Sequence, residues 1–177
     1  MTGNEINLSQ MLTRREERAC EQKTFLEKYR SPLISFTLNI PGPVKTNESI
    51  RRAFESGKIS ILKALENTKI NDSLEVHEDT GDELLLSVSG ASPEELKKIS
   101  VEIENSDRLG RLFDIDVIDA DGKKLSRGNF RKCLICGKQA QECARSRAHS
   151  VEEMQAAVER LLGRLYLPIE QNAEQYP

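Results

Sequence analysis

Two carboxylates one residue apart, Asp114 and Asp116, stand in the stretch Arg111-Leu112-Phe113-Asp114-Ile115-Asp116-Val117. On an extended strand, residues two apart share a face. Both carboxylates therefore point one way, while Phe113, Ile115 and Val117 point into a core. Such a pair suits Mg2+, which takes one or two carboxylates together with substrate phosphates. A divalent cation there would offset charge on a phosphoryl group and on departing pyrophosphate. Asp114 and Asp116 are thus the candidate catalytic pair and Mg2+ ligands. The plainer alternative is a solvated sheet face, because a D-x-D spacing is short and common.

A second group is Asn39-Ile40-Pro41-Gly42-Pro43-Val44-Lys45, followed by Arg51 and Arg52. It joins the end of a strand to the start of a helix, where free backbone N–H groups and the positive dipole end favour an anion. Gly42 would let a ligand approach the backbone, the prolines stiffen the loop, and Lys45 and Arg51 could pair with phosphate oxygens. Asn39 and Arg111 complete this candidate substrate-binding set. A stiff turn carrying solvated cations would have the same sequence.

The third group is Cys133-x2-Cys136-x6-Cys143, followed by Arg145, Arg147 and His149. Three thiols and an imidazole make four ligands of zinc-type softness. The spacing is tighter than that of common fingers, and one CxxC knuckle is weaker than two, so a reduced thiol cluster competes with structural Zn2+. Arg145, Arg147 and His149 could instead converge on phosphate just before a helix, a use that competes with zinc for His149. Cysteine catalysis is a lesser reading: no cysteine sits in a nucleophile elbow, and only His77 and His149 could serve as its base.

The elements that must position these groups are legible from periodicity. Leu8 to Tyr29 is expected to be an amphipathic helix, with Met11, Leu12, Ala19, Leu26 and Tyr29 near one face and Arg14, Arg15 and Arg18 exposed. Ser31-Pro32 ends it. Leu33 to Asn39 alternates as a strand, and Pro41-Gly42-Pro43 stops it. Thr46 or Asn47 caps a helix whose stripe is Ile50, Phe54, Ile61 and Leu65. A hairpin follows: Leu74 to His77, a turn at Asp79 to Asp82, then Glu83 to Ser89. Ser92-Pro93-Glu94-Glu95 starts a helix carrying Leu96, Ile99 and Ile103. Leu112 to Ile118 is the last strand, ending near Asp121-Gly122. Ser150 and Glu153 box a final helix with Met154, Val158, Leu161 and Leu165.

The order β-α-β-β-α-β predicts an α+β fold, a ferredoxin-like split βαβ sheet with helices on one face, flanked by N- and C-terminal helices and a Cys-rich loop. One domain over 1–177 is expected: the N-terminal helix at 8–29, the α+β core at 32–125, and the Cys-rich loop with the C-terminal helix at 131–166. Lys plus Arg number 26 against 29 Asp plus Glu, a formal net charge of -3, which argues against nucleic acid and against a polybasic membrane anchor. An anion must therefore be held by a local cluster of cations. No stretch reaches the roughly 20 apolar residues of a membrane span, and no secretory signal is recognised in the first 22 residues, so a cytoplasmic location is expected.

Several stretches taken together resemble the apo-citrate lyase phosphoribosyl-dephospho-CoA transferase family, also called holo-citrate lyase acyl carrier protein synthase. They are PLISFTLNIPGPVK, IRRAFESG, VEIEN, LGRLFDIDVIDADGKKLSR and C-x2-C-x6-C-ARSRAHS. The resemblance runs from about Leu8 to the last helix, with little signal between Ala64 and Leu74 or after Pro168. It implies a nucleotidyltransferase-type displacement. A serine of the acyl carrier (gamma) subunit of citrate lyase would attack 2'-(5''-triphosphoribosyl)-3'-dephospho-CoA, forming a phosphodiester and releasing pyrophosphate. That accounts for the absence of an internal nucleophile, because the hydroxyl belongs to the partner. Two alternatives are the analogous transferase for the malonate decarboxylase carrier and a noncatalytic zinc-bearing interaction or nucleic-acid module. The second fits poorly with 5% aromatics and no Trp.

Overall fold

The computed structural model describes residues 1–163. Helix α1 spans Leu8–Tyr29, opened by a reciprocal cap between Asn7 and Gln10 and closed by Arg30 in the left-handed region at φ 47°. Strand β1 (Leu33–Leu38) leads to α2 (Glu48–Ala64), whose first turn is capped by Asn47 accepting from the Ile50 amide. Strands β2 (Lys69–Glu78) and β3 (Gly81–Ser89) form the hairpin. Helix α3 (Pro93–Ser106) begins with the Ser92–Glu95 capping box and a proline in its first turn, and β4 spans Phe113–Ile118. Helix α4 (Ala140–Ser146) is a single short piece inside the stretch expected to be a loop, and α5 covers Val151–Gly163. Leu165, expected on the stripe of α5, lies outside the described residues.

The four strands form one antiparallel sheet in the order β2-β3-β1-β4. Helices α2, α3 and α5 cover one face, where Ile34 and Phe36 of β1, Leu84 and Leu86 of β3 and Ile115 and Val117 of β4 meet Phe54, Leu96 and Leu161. Phe36 anchors this core, stacked on Phe54 with centroids 5.0 Å apart and edge-on to Phe113 at 5.4 Å. The other face is not bare, as a one-sided layer would leave it. There Leu33, Leu85 and Ile118 pack against Phe25 and Leu26 of α1.

That packing reverses part of the expected face of α1. Arg14 is buried, not exposed, and Leu8 and Leu12 are exposed. The guanidinium of Arg14 meets Glu21 at 2.5 Å, Glu83 at 3.0 Å and Glu17 at 3.2 Å. A buried charge is tolerated only when paired, and three carboxylates make the pairing here; they hold the Arg14 pKa well above its ordinary value, Glu21 most strongly. Strand β2 begins at Lys69, five residues before the expected Leu74. It is an edge strand with mostly exposed residues, so its limits follow from pairing with β3 and leave little apolar alternation to read. Among the described residues, no helix is long and apolar enough to cross a membrane.

Candidate active site

Between α1 and the sheet lies a cleft of about 510 Å³. Its floor follows from strand register. Thr37 pairs with Glu83 on one side and Asp114 on the other, and Ser35 pairs with Leu85 and Asp116. Asp114 and Asp116 thus share the face turned toward α1, as their spacing requires. Met11, Arg15, Arg18 and Gln22 of α1 form the roof, and Asn39 and Lys45 close one end. Gln22 also donates to the Ser35 hydroxyl at 3.1 Å, tying roof to floor.

The charges of this cleft are only partly matched. Asp82 contacts His77 Nδ1 at 2.7 Å and Arg51 at 3.4 Å, and Glu83 is held by Arg14 and Arg18. Asp116 pairs with Lys124 at 2.5 Å. Asp114 has no ion pair in hydrogen-bond range among the described residues. Burial and the neighbouring Asp116 carboxylate push its pKa up, against a weaker pull from Arg131 and Lys124. Lys45 is the mirror case: half-buried, it donates to the Ile40 carbonyl at 2.6 Å and to no carboxylate among the described residues. Desolvation and the nearby Arg15 push its pKa down. The cleft therefore presents an unmatched carboxylate and two cations, Arg15 and Lys45, that lack a carboxylate partner among the described residues.

Among the described strands none lies on the outer edge of β4: the Leu125 amide donates to the Val117 carbonyl at 2.8 Å near its end, and charged side chains satisfy the backbone around Asp114. Buried Glu104 of α3 accepts from the Ile115 amide at 3.0 Å and from Arg131 at 2.7 Å, and it also pairs with Arg127. Lys97 donates to the Ile115 carbonyl at 3.2 Å, and Arg131 donates to the Phe113 carbonyl. These groups fix the backbone on both sides of Asp114.

Of the residues expected to bind substrate, Asn39 and Lys45 line the cleft with the two aspartates. Gly42 does not face it. At φ +84°, it sits under α5, and a Cβ there would fall 2.2 Å from Gln155 Nε2. Arg51 pairs with Asp82 but does not line the cleft, and Arg111 donates to the Lys132 carbonyl. Arg145 on α4 and Arg147 at its left-handed cap are exposed and outside the cleft lining. Arg15, Arg18, Lys124 and Glu104 are contributions that the sequence reading missed. The i, i+3 and i+4 spacing of Arg14, Arg18 and Gln22 below Met11 is the signal that could have revealed the polar face of α1.

The cysteine group forms a compact cluster on the other side of the β4 edge. One ligand atom each from Cys133, Cys136, Cys143 and His149 lies within 4.8 Å of the other three. Cys136 Sγ is 3.4 Å from Cys143 Sγ and 3.3 Å from His149 Nε2. All four cysteines of the chain are free thiols. The knuckle is shaped by Gly137 at φ +71° and by the Ile135 amide donating to Cys133 Sγ at 3.5 Å. The Lys138 amide, then His149 and Cys143, pull the Cys136 thiol down to about 6, while hydrogen bonding to Cys136 pushes Cys143 up to about 11. His149 does stand beside a knuckle cysteine, but none of the four residues lines the carboxylate cleft.

The fold is α+β, and its cleft brings two carboxylates of one strand face together with Arg15 and Lys45. Residues 6–165 match the family described as apo-citrate lyase phosphoribosyl-dephospho-CoA transferase, and the chain belongs to that family. It is 39% identical over 163 residues to the probable apo-citrate lyase phosphoribosyl-dephospho-CoA transferase of Vibrio cholerae serotype O1 (strain M66-2), covering 88% of this chain and 91% of that protein. The apo-citrate lyase phosphoribosyl-dephospho-CoA transferase of Citrobacter koseri is 34% identical over 167 residues, 91% of each chain. That of Escherichia coli (strain SE11) is 35% identical over 163 residues, 89% of this chain and 88% of its own. These matches do not favour the malonate decarboxylase analogue or a noncatalytic module.

Proposed function

We propose that this chain transfers the 5''-phosphoribosyl-3'-dephospho-CoA group from 2'-(5''-triphosphoribosyl)-3'-dephospho-CoA to a serine of the citrate lyase acyl carrier (gamma) subunit, releasing pyrophosphate, in the cytoplasm. The observation that carries this reading is the unmatched charge of the cleft: among the described residues Arg15 and Lys45 have no carboxylate partner and Asp114 has no ion pair. A polyphosphate bound with a divalent cation satisfies both at once. The sheet order β2-β3-β1-β4 supports reading the core as ferredoxin-like, within one transferase domain.

The donor set fits Mg2+, since two carboxylates share one strand face, and burial first, then the charge of Asp116, raises the pKa of Asp114. Asp114 and Asp116 would hold it, and bound there it would supply charge neutralisation on the phosphoryl group and leaving pyrophosphate. The residues do the rest. Arg15 and Lys45 orient the triphosphate, Thr37 and Ser35 offer hydroxyls on the floor, and Glu104 keeps the carboxylate strand fixed. Of the other expected phosphate ligands, Asn39 keeps a place in the binding set, whereas Gly42, Arg51, Arg111, Arg145 and Arg147 take scaffold or surface roles.

The cysteine cluster is read as a structural Zn2+ site. Tetrahedral zinc with Zn–S near 2.3 Å implies ligand–ligand distances of roughly 3.8 Å, and the 3.3–3.4 Å contacts and 4.8 Å limit bracket that value. Two further thiols around the Cys136–His149 contact favour a ligand set over a catalytic dyad. The experiment is a pyrophosphate-release assay with donor and apo carrier together. Release should require both substrates and fall in Asp116→Asn. Release that continues without carrier would refute the assigned acceptor.

A further inference from the structure

The segment 126–150 has almost no core of its own: its only buried residues are Cys133 and Cys143. So short a segment without apolar burial needs a staple. Yet its two ends bear on elements that lead into the carboxylate cleft: the strand of its floor and the loop before Lys45. Upstream, Arg131 lies two residues before Cys133, and the Ala140 amide donates to the Arg131 carbonyl at 2.8 Å, closing the knuckle on it. Its guanidinium donates to the Phe113 carbonyl and to Glu104, the carboxylate that accepts the Ile115 amide. Phe113 and Ile115 are the two neighbours of Asp114. Downstream, His149 leads within two residues into α5. There Gln155 donates to the Pro41 carbonyl at 3.4 Å, and Gln155 and Val151 occupy the space that a Cβ on Gly42 would take. That loop runs directly to Lys45.

We propose that zinc held by Cys133, Cys136, Cys143 and His149 is a clasp for the transfer cleft, seating Arg131 against the free edge of β4 and α5 against the Pro41–Gly42 loop. The ion takes no part in the chemistry. It fixes where Asp114 stands relative to Lys45, and Arg131 is the positioning residue through which it acts on β4. The inference rests on the zinc reading above, but its test can fail separately.

The readout is amide hydrogen exchange by NMR on the full chain, zinc-loaded and after reversible removal of zinc by a chelator, with Cys136→Ser as a second zinc-free form. Cobalt added to the stripped protein reports the site itself through thiolate-to-metal charge-transfer absorption. Loss of zinc should speed exchange of the Ile115 amide about 10-fold or more, as expected when a local unit opens. The Leu86 amide in central strand β3 should keep its protection, and zinc returned to the stripped protein should restore Ile115. Absence of the cobalt band, together with no zinc uptake, would refute the zinc reading and the clasp with it. Zinc uptake with unchanged Ile115 exchange would refute the clasp alone. Loss of protection at Leu86 as well would also refute it, because the ion would then support the whole fold.

Discussion

Asp114 and Asp116 are one residue apart and share a strand face, yet their surroundings differ. Lys124 pairs with Asp116, whereas Asp114 is left half-buried beside a like charge. A carboxyl whose folded pKa is raised binds its proton more tightly in the folded chain than in the unfolded one. Stability then falls as pH rises from the ordinary carboxylate value of about 4 through the folded value. Asp114→Asn should therefore raise the melting temperature at pH 7 without added Mg2+, and the gain should vanish near pH 3, where both forms are uncharged. Transfer should fall by on the order of 100-fold or more in Asp114→Asn and in Asp116→Asn, if both serve charge stabilisation. More stable but less active is the pattern expected of a group kept for function. Lys45→Met should weaken donor binding about 10- to 150-fold in calorimetry, the worth of a charge-assisted hydrogen bond of roughly 1.5–3 kcal/mol. Arg160, outside the cleft on α5, should be neutral when replaced by Ala.

Helix α2 sets two effects of opposite sign against each other at Gly57. Mid-helix glycine costs roughly 1 kcal/mol relative to alanine. A Cβ at Gly57, however, would fall 2.5 Å from Phe36 Cζ and 3.0 Å from Phe113 Cζ, both fully buried. Overpacking of about 1–3 kcal/mol should prevail, so Gly57→Ala should lower the urea midpoint despite its better helix propensity. At β4, Glu104→Ala removes the acceptor of the Ile115 amide and the partner of Arg127 and Arg131. Breaking a buried pair from one side costs on the order of 3 kcal/mol, readable in the same denaturation series.

The elements legible in the sequence were those with strong local signals. The Ser92–Glu95 box, the proline within it, and the alternation of Phe113 to Val117 specify α3 and β4 almost to the residue. Strand β2 was shortened because an exposed edge strand shows no apolar period, and α4 was hidden because seven residues give too little periodicity to read. The aspartates and Lys45 were legible because strand period and loop position fix them locally. Arg15, Arg18 and Glu104 were not, because their roles arise from contacts between elements far apart in the chain. Arg14 makes the reason plain: its burial depends on Glu83, 69 residues away.

At the scale of the molecule, a net charge of -3 leaves no general attraction for a polyphosphate. The fold meets this by neutralising Asp82 and Glu83 with Arg51, Arg14 and Arg18, so that Arg15 and Lys45 remain available to an anion. The central claim joins that cleft to one donor and one protein acceptor, and intact mass spectrometry tests it most directly. Purified protein is incubated with 2'-(5''-triphosphoribosyl)-3'-dephospho-CoA, Mg2+ and the apo carrier subunit of citrate lyase. The carrier should gain the mass of one phosphoribosyl-dephospho-CoA group, on a serine located by fragmentation, and Asp116→Asn should leave it nearly unmodified. An unmodified carrier in the presence of folded wild-type protein and intact donor would contradict the account.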